Sequence, residues 1–183
     1  AAIRVPAGVE APLPGIPNLA LRAERVPNLD GARLAGYSTD WAAAVTAAKG
    51  ADLTIVLDAE LEGDAAAVVG AKTVVIGTVD DDRYHAAALI LPTTNMAEEN
   101  GAYVNRDGRV QRYYQAKAAP GMARPAWWIA ALATEAARGQ AAPRTAAEAF
   151  AALGAAIPPL AGLSYQDLGH TGRVVATGAG AVR

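Results

Sequence analysis

Two stretches of this chain repeat one another, and together they constrain the fold more than anything else in it. "AAAVTAAKGADLTIVLD", residues 42–58, and "AAAVVGAKTVVIG", residues 65–77, share one grammar. Each begins as an alanine-rich helix, crosses a Gly-Ala step where a left-handed cap is expected, and enters a β-branched run too short to be helical. A helix leading into a strand, twice in series, requires the strands to lie parallel. A third apolar run, residues 87–91, ends at Pro92, where a central strand has to stop. Strands apolar at every position need cover on both faces. The sequence therefore predicts an α/β fold, a Rossmann-like parallel sheet with helices on both faces.

Composition sets the core that such a sheet can build. At 183 residues the chain fits one domain, or one with an appendage. Its hydrophobic fraction of 52% is largely alanine, with 5% aromatic residues and a single Phe, so the interior rests on Val, Ile, Leu and close backbone approach. A net charge of -2 and a pI near 5.7 leave no basic footprint for a nucleic acid or an anionic membrane surface. No window reaches 18 consecutive apolar residues, and "AAIRVPAGVEAPLPG" at the start lacks the n-region and h-region of a signal peptide, so no membrane insertion is expected. With no Cys and two His, these residues hold no disulfide, no thiolate-bound iron–sulfur cluster and no zinc set of ordinary composition.

Residues 1–40 carry Pro6, Pro12, Pro14, Pro17 and Pro27 and read as an extended lead-in with one short helix, as expected where a piece begins inside a larger protein. Residues 41–92 form the α/β core. In residues 93–172, Asn95 and Glu98 have capping-box spacing, and Gly101 would end the short helix they open. Residues 102–105 and 109–114 read as two strands joined by Arg106-Asp107-Gly108, with the left-handed position at Gly108. Pro125 then suits the start of a helix with Ile129, Leu132, Ala133 and Ala136 on one face, ending before Gly139. Thr145 and Glu148 form a second capping box, for a helix that carries Phe150 and Leu153 and stops before Pro158-Pro159. Ser164 and Asp167 open a last turn before Gly169, and residues 173–183 read as a tail.

Chemical motifs are sparse. Asp80, Asp81 and Asp82 are adjacent and cannot converge on one ion, so they read as a solvated acidic helix start. His85 and His170 have no partner at ligand or triad spacing, and Ser164 lacks a G-x-S-x-G setting. The strands at 54–57 and 73–76 are followed by "DAELEGD" and "GTVDDD", neither of which is a phosphate-binding glycine motif, and Gly178-Ala179-Gly180 has no third glycine or helix behind it. Trp127-Trp128 at a helix start reads as one ring against the sheet and one at an interface.

The stretches "ILPTTNMAEENGAYVNRDGRVQ", residues 90–111, and "AAPGMARPAWWIAALA", residues 118–133, are more distinctive. They resemble a late segment of the molybdopterin oxidoreductase superfamily and, within it, the G subunit of bacterial NADH-quinone oxidoreductase, the large iron–sulfur subunit of respiratory complex I. The matching positions are Leu91, Pro92, Glu98, Gly101, Asn105, Gly108, Arg109, Gln111, Pro120, Gly121, Ala123 and Trp127. The family's Thr after Gly101 is Ala102 here, and its Glu before Gly108 is Asp107. The resemblance implies a structural C-terminal domain with no catalytic, cofactor-binding or metal residue of its own, Pro92, Glu98, Gly101, Asn105, Gly108, Arg109, Gln111 and Trp127 being structural. Iron–sulfur clusters would lie upstream. Partners would be those upstream domains and other peripheral-arm subunits, at the cytoplasmic face of the membrane. Its alternative is a fragment of a molybdopterin-dependent enzyme such as formate dehydrogenase, with Asn105 and Arg109 near the cofactor. A free-standing nucleotide-binding module rests on fold analogy alone.

Overall fold

The computed structural model describes residues 1–6, 8–21 and 23–175, so Gly178-Ala179-Gly180 lies outside the described residues. The first elements are a small antiparallel hairpin, β1 (Ala11–Leu13) and β2 (Ile16–Leu21), with Gly15 at φ 79° in its turn, and a short helix α1 (Leu29–Leu34). The prolines that suggest an extended lead-in permit this hairpin, because a two-stranded edge tolerates missing donors.

Helix α2 (Trp41–Lys49) starts where Asp40 accepts from the Ala43 N–H at 3.0 Å. It leads into β3 (Thr54–Leu57), followed by β4 (Thr73–Gly77) and β5 (Leu89–Pro92). These strands form one parallel sheet in the order β3-β4-β5, so the α/β class and the parallel pairing are as the repeat predicts. Two local details differ. The second alanine-rich stretch is a 3₁₀ helix, Gly63–Val68, and Gly50 closes α2 at φ -101° rather than in the left-handed region. The five residues between Glu62 and the β-branched Val68-Val69 pair give too little length for an α-helical nucleus.

One face of the sheet packs α2 and the Gly63–Val68 turn around Val56 and Val75, with Val45, Leu61, Ala65 and Tyr84 completing a buried cluster. On the opposite face Ile55, Leu57 and Leu89 are exposed by 58%, 52% and 48%.

The polar string after β5 folds as a turn followed by β6 (Gly101–Val104) and β7 (Arg109–Tyr113), paired antiparallel and joined through Gly108 at φ 68°. Beyond it come α3 (Ala126–Arg138), closed by Gly139 at φ 68°, and α4 (Ala146–Ala156), capped by Thr145 accepting from the Glu148 N–H at 3.2 Å. In the stretch read as a tail, β8 (Arg173–Val174) adds a third strand beside β7. A second core gathers Val104, Val110, Phe150, Ile157, Leu160, Tyr165, Leu168 and Val175 beneath this small sheet.

Candidate functional site

Two places could carry chemistry: the C-terminal edge of the parallel sheet, where open α/β sheets place ligands, and the polar segment that follows β5. At the sheet edge Asp58 follows β3 with φ 44°, a left-handed position for a non-glycine residue. Its carboxylate accepts from the Thr78 N–H at 2.9 Å and the Thr78 hydroxyl at 2.8 Å, so it binds the ends of β3 and β4 to each other. The Tyr84 hydroxyl donates to the Ala59 carbonyl at 2.7 Å on the same side. Between them lies a cleft of about 360 Å³, also bordered by Asp81 and Arg83.

The charges at this cleft are acidic and already committed. Asp81 lies 2.6 Å from Arg83, which holds the Asp81 carboxyl down to about 2, and Arg83 also approaches Glu62 at 3.7 Å. Arg4 pairs with Glu60 at 3.1 Å and Glu62 at 3.5 Å, and His85 faces Asp80 and Asp82 at 3.2 and 3.5 Å. The aspartates thus sit at a short 3₁₀ turn, Asp82–Tyr84, capped by Asp81, rather than at the start of an α-helix. Glu60, Glu62 and Asp81 thus engage the two arginines, Arg4 and Arg83, while Asp58 is held by Thr78. A Cβ at Gly77 would make only ordinary van der Waals contact.

The post-strand segment is dense in hydrogen bonds. Thr93 is buried, and its hydroxyl donates to the Arg124 carbonyl at 3.0 Å, while the Arg124 N–H donates to the Pro92 carbonyl at 3.3 Å. Asn95 accepts from the Ala97 N–H at 2.9 Å, and Glu98 reaches back to the Asn95 N–H at 3.1 Å. Only the Glu98 half of the capping box forms, since the Glu98 N–H donates to the Asn95 carbonyl instead of its side chain, and the expected helix is absent because the chain turns at once toward β6. Glu98 is 6% exposed and lies 2.9 Å from the Lys117 ammonium. Lys117, and then the Asn95 N–H, hold the Glu98 carboxyl below the usual carboxylate range.

Asn105 organises the β6–β7 turn. Its side-chain oxygen accepts from the N–H groups of Asp107 and Arg109, both at 2.9 Å, and its amide donates to Gln111 at 3.3 Å. Gly101 lets the Tyr113 ring lie against the backbone, since a Cβ there would collide with the ring. The Tyr113 hydroxyl donates to Glu99 at 2.8 Å, and burial, then Glu99, push its pKa up. Among the described residues the Arg109 guanidinium makes one side-chain bond, to the Thr171 carbonyl at 3.3 Å, and it is exposed. Trp127 is half-buried, and its Nε1 is buried without a partner among the described residues.

The sequence reading passed over Arg112. Its guanidinium donates to the carbonyls of Gly169 at 2.9 Å and Tyr165 at 3.4 Å, and it stacks 4.9 Å from the Tyr114 ring. Alternation along β7 puts Arg112 on the face of the buried Val110, a signal that was available in the sequence. Asn28 was equally inconspicuous; at φ 63° it accepts from the Val104 N–H at 2.8 Å and joins α1 to β6.

Among the described residues no group of His, Asp and Glu is placed to hold a metal ion, and no helix is long and apolar enough to cross a membrane. Over 88 residues the chain is 38% identical to the alpha subunit of F420-dependent formate dehydrogenase 2 of Methanococcus maripaludis, which is 47% of this chain and 13% of that one. Over 43 residues it is 46% identical to YrhE of Bacillus subtilis, provisionally named a formate dehydrogenase, covering 24% of this chain and 4% of its relative. The chain therefore spans a small part of the curated relatives it matches. Residues 6–135 match the molybdopterin oxidoreductase family throughout, and the chain belongs to that family.

Proposed function

We propose that these residues are a scaffold segment of a larger oxidoreductase subunit of formate dehydrogenase type, whose redox centres and substrate site lie in other parts of the polypeptide. What supports the scaffold role is the engagement of the motif side chains: Glu98 with Lys117 and the Asn95 N–H, and Asn105 with Asp107, Arg109 and Gln111. Each satisfies backbone or a neighbouring side chain. The formate reading draws on the two relatives.

A second reading is the G subunit of NADH-quinone oxidoreductase, with iron–sulfur clusters upstream and peripheral-arm subunits as partners at the inner face of the membrane. The acidic, internally paired sheet edge favours it, because a family member without a pterin has no need of free donors there.

Both readings are tested on the complete protein by dye reduction with formate or with NADH, in the wild type and in Asn105→Ala. Formate-dependent reduction supports the first reading, and NADH-dependent reduction supports the second. For the scaffold role, Asn105→Ala is expected to lower the yield of folded protein while turnover per folded molecule is kept. Normal yield with turnover abolished would overturn it.

A further inference from the structure

The parallel sheet is open along β3. In a parallel strand the N–H and C=O of each residue point to the same side, and alternate residues serve opposite neighbours. Thr54 and Asp58 donate toward β4, to the carbonyls of Lys72 and Ile76, both at 2.9 Å. The backbone groups of Ile55 and Leu57 therefore face away from β4, at a sheet edge with no other strand among the described residues. The edge is apolar: Leu53, Ile55 and Leu57 are exposed by 59%, 58% and 52%. Within Leu53 to Leu57 there is no proline, lysine or bulge of the kind that blunts a free edge.

The sheet's own geometry says what belongs there. The connection from β3 to β4 passes through the Gly63–Val68 turn, and α2, which leads into β3, joins the same buried cluster on the same face. Parallel crossovers share one hand, and two crossovers of one hand on one face must step across the sheet in one direction. If β3 steps to β4, a strand feeding α2 must come from the far side of β3, which is the open edge. The described residues of 1–40 supply no strand to this position, since β1 and β2 pair with each other and Ala2 forms a lone bridge with Ser38. A groove of about 1250 Å³ runs beside the edge, bordered by Ala44 and Ala48 of α2, by Ile3 and Leu34 of the lead-in, and by Phe150 and Ile157 of the second core. It exceeds the roughly 300–1,000 Å³ of small-molecule pockets, as a seat for a length of chain should.

We propose that the open edge of β3 is the docking seat of a further parallel β-strand, apolar on both faces, contributed by the longer polypeptide of which these residues are a part. The proposal rests on the reading of the chain as a segment of a larger family subunit, in keeping with its covering 13% and 4% of its relatives. It does not depend on the reaction that subunit performs. A fourth strand would satisfy Ile55 and Leu57, extend the sheet into the groove and give α2 its incoming partner.

Amide hydrogen exchange tests it, with Val75 as an internal reference in the central strand. The 183-residue chain is measured at two concentrations and the complete gene product at one. The Ile55 and Leu57 amides are expected to exchange rapidly in the 183-residue chain at both concentrations, and at least about 100-fold more slowly relative to Val75 in the complete product. Equal exchange in the two proteins would overturn the proposal. So would protection already present in the 183-residue chain, a concentration-dependent protection that marks a second copy as the occupant, or a gene product that ends with these residues. The dye-reduction assay fails or succeeds independently, so loss of the formate reading and loss of this proposal are distinguishable.

Discussion

A side chain at Gly101 has nowhere to go, because the Tyr113 ring lies where its Cβ would be. Gly101→Val is therefore expected to lower the urea unfolding midpoint by the equivalent of about 1–3 kcal/mol, the usual cost of overpacking. At Gly108 space is not the issue; its φ of 68° is, and Gly108→Val should cost about 1–2 kcal/mol by the same measurement. The two arginines of β7 separate more sharply. Arg112 serves two carbonyls and two aromatic rings, so Arg112→Ala should cost about 1.5–3 kcal/mol, whereas Arg109→Ala should cost under about 1. Equal losses would mean that the crossing to Tyr165 and Gly169 carries no weight. Glu98 adds a pH dependence with a definite sign. Its folded pKa lies below its unfolded value of about 4.3, so its contribution is present above that pH and is lost as pH falls through the depressed folded value. Glu98→Gln should flatten the acid side of a plot of urea midpoint against pH; an unchanged slope would show that the Lys117 pair is not felt.

Elements differ in how openly the sequence declares them. Strands β3 and β4 were legible because four or five β-branched or aliphatic residues follow an alanine run in each, and the β6–β7 hairpin because Asp107-Gly108 must form its turn. Helix α4 was legible from its cap alone: Thr145 does accept from Glu148, although the Glu148 carboxylate reaches back to the Arg144 N–H at 2.7 Å. Thr145→Ala should therefore lower the melting temperature by the equivalent of about 1 kcal/mol, while Thr145→Asn should be near neutral. Other elements were hidden for physical reasons. Pro12, Pro14 and Pro17 obscure β1 and β2, since proline weakens strand propensity without forbidding an edge hairpin. The stretch 63–68 has helical composition, but tertiary packing of Ala65 against the sheet holds it as a 3₁₀ turn. The polar segment after β5 was legible as cap and turn chemistry at Asn95, Glu98 and Asn105. Its ties to distant segments, Thr93 with Arg124 and Glu99 with Tyr113, depend on how the chain returns, which no local pattern encodes.

At the scale of the molecule the described residues form two core clusters that share no buried residue. One lies under the parallel sheet around Val56 and Val75, and the other lies under the β6–β7–β8 sheet around Leu168, which is 1% exposed. Among the described residues two polar ties lie at their borders: Thr93 bridges the end of β5 to Arg124 just before α3, and Asn28 of the α1 cap accepts from β6, while Leu29, Ile76 and Ala123 are buried outside both clusters. Cooperative units follow contiguous packing, and polar links of this kind contribute about 0.5–1.5 kcal/mol each, less than the loss of a core leucine. Leu168→Ala should cost about 2–5 kcal/mol and Val75→Ala on the order of 2. If the cores are separate units, Leu168→Ala will speed amide exchange of Val110 and its neighbours in β7 while leaving Val75 in β4 near its wild-type rate. Val75→Ala will do the reverse. Acceleration of both strands by either substitution would show that the two cores unfold as one cooperative unit, and the division into two cores would then describe packing alone.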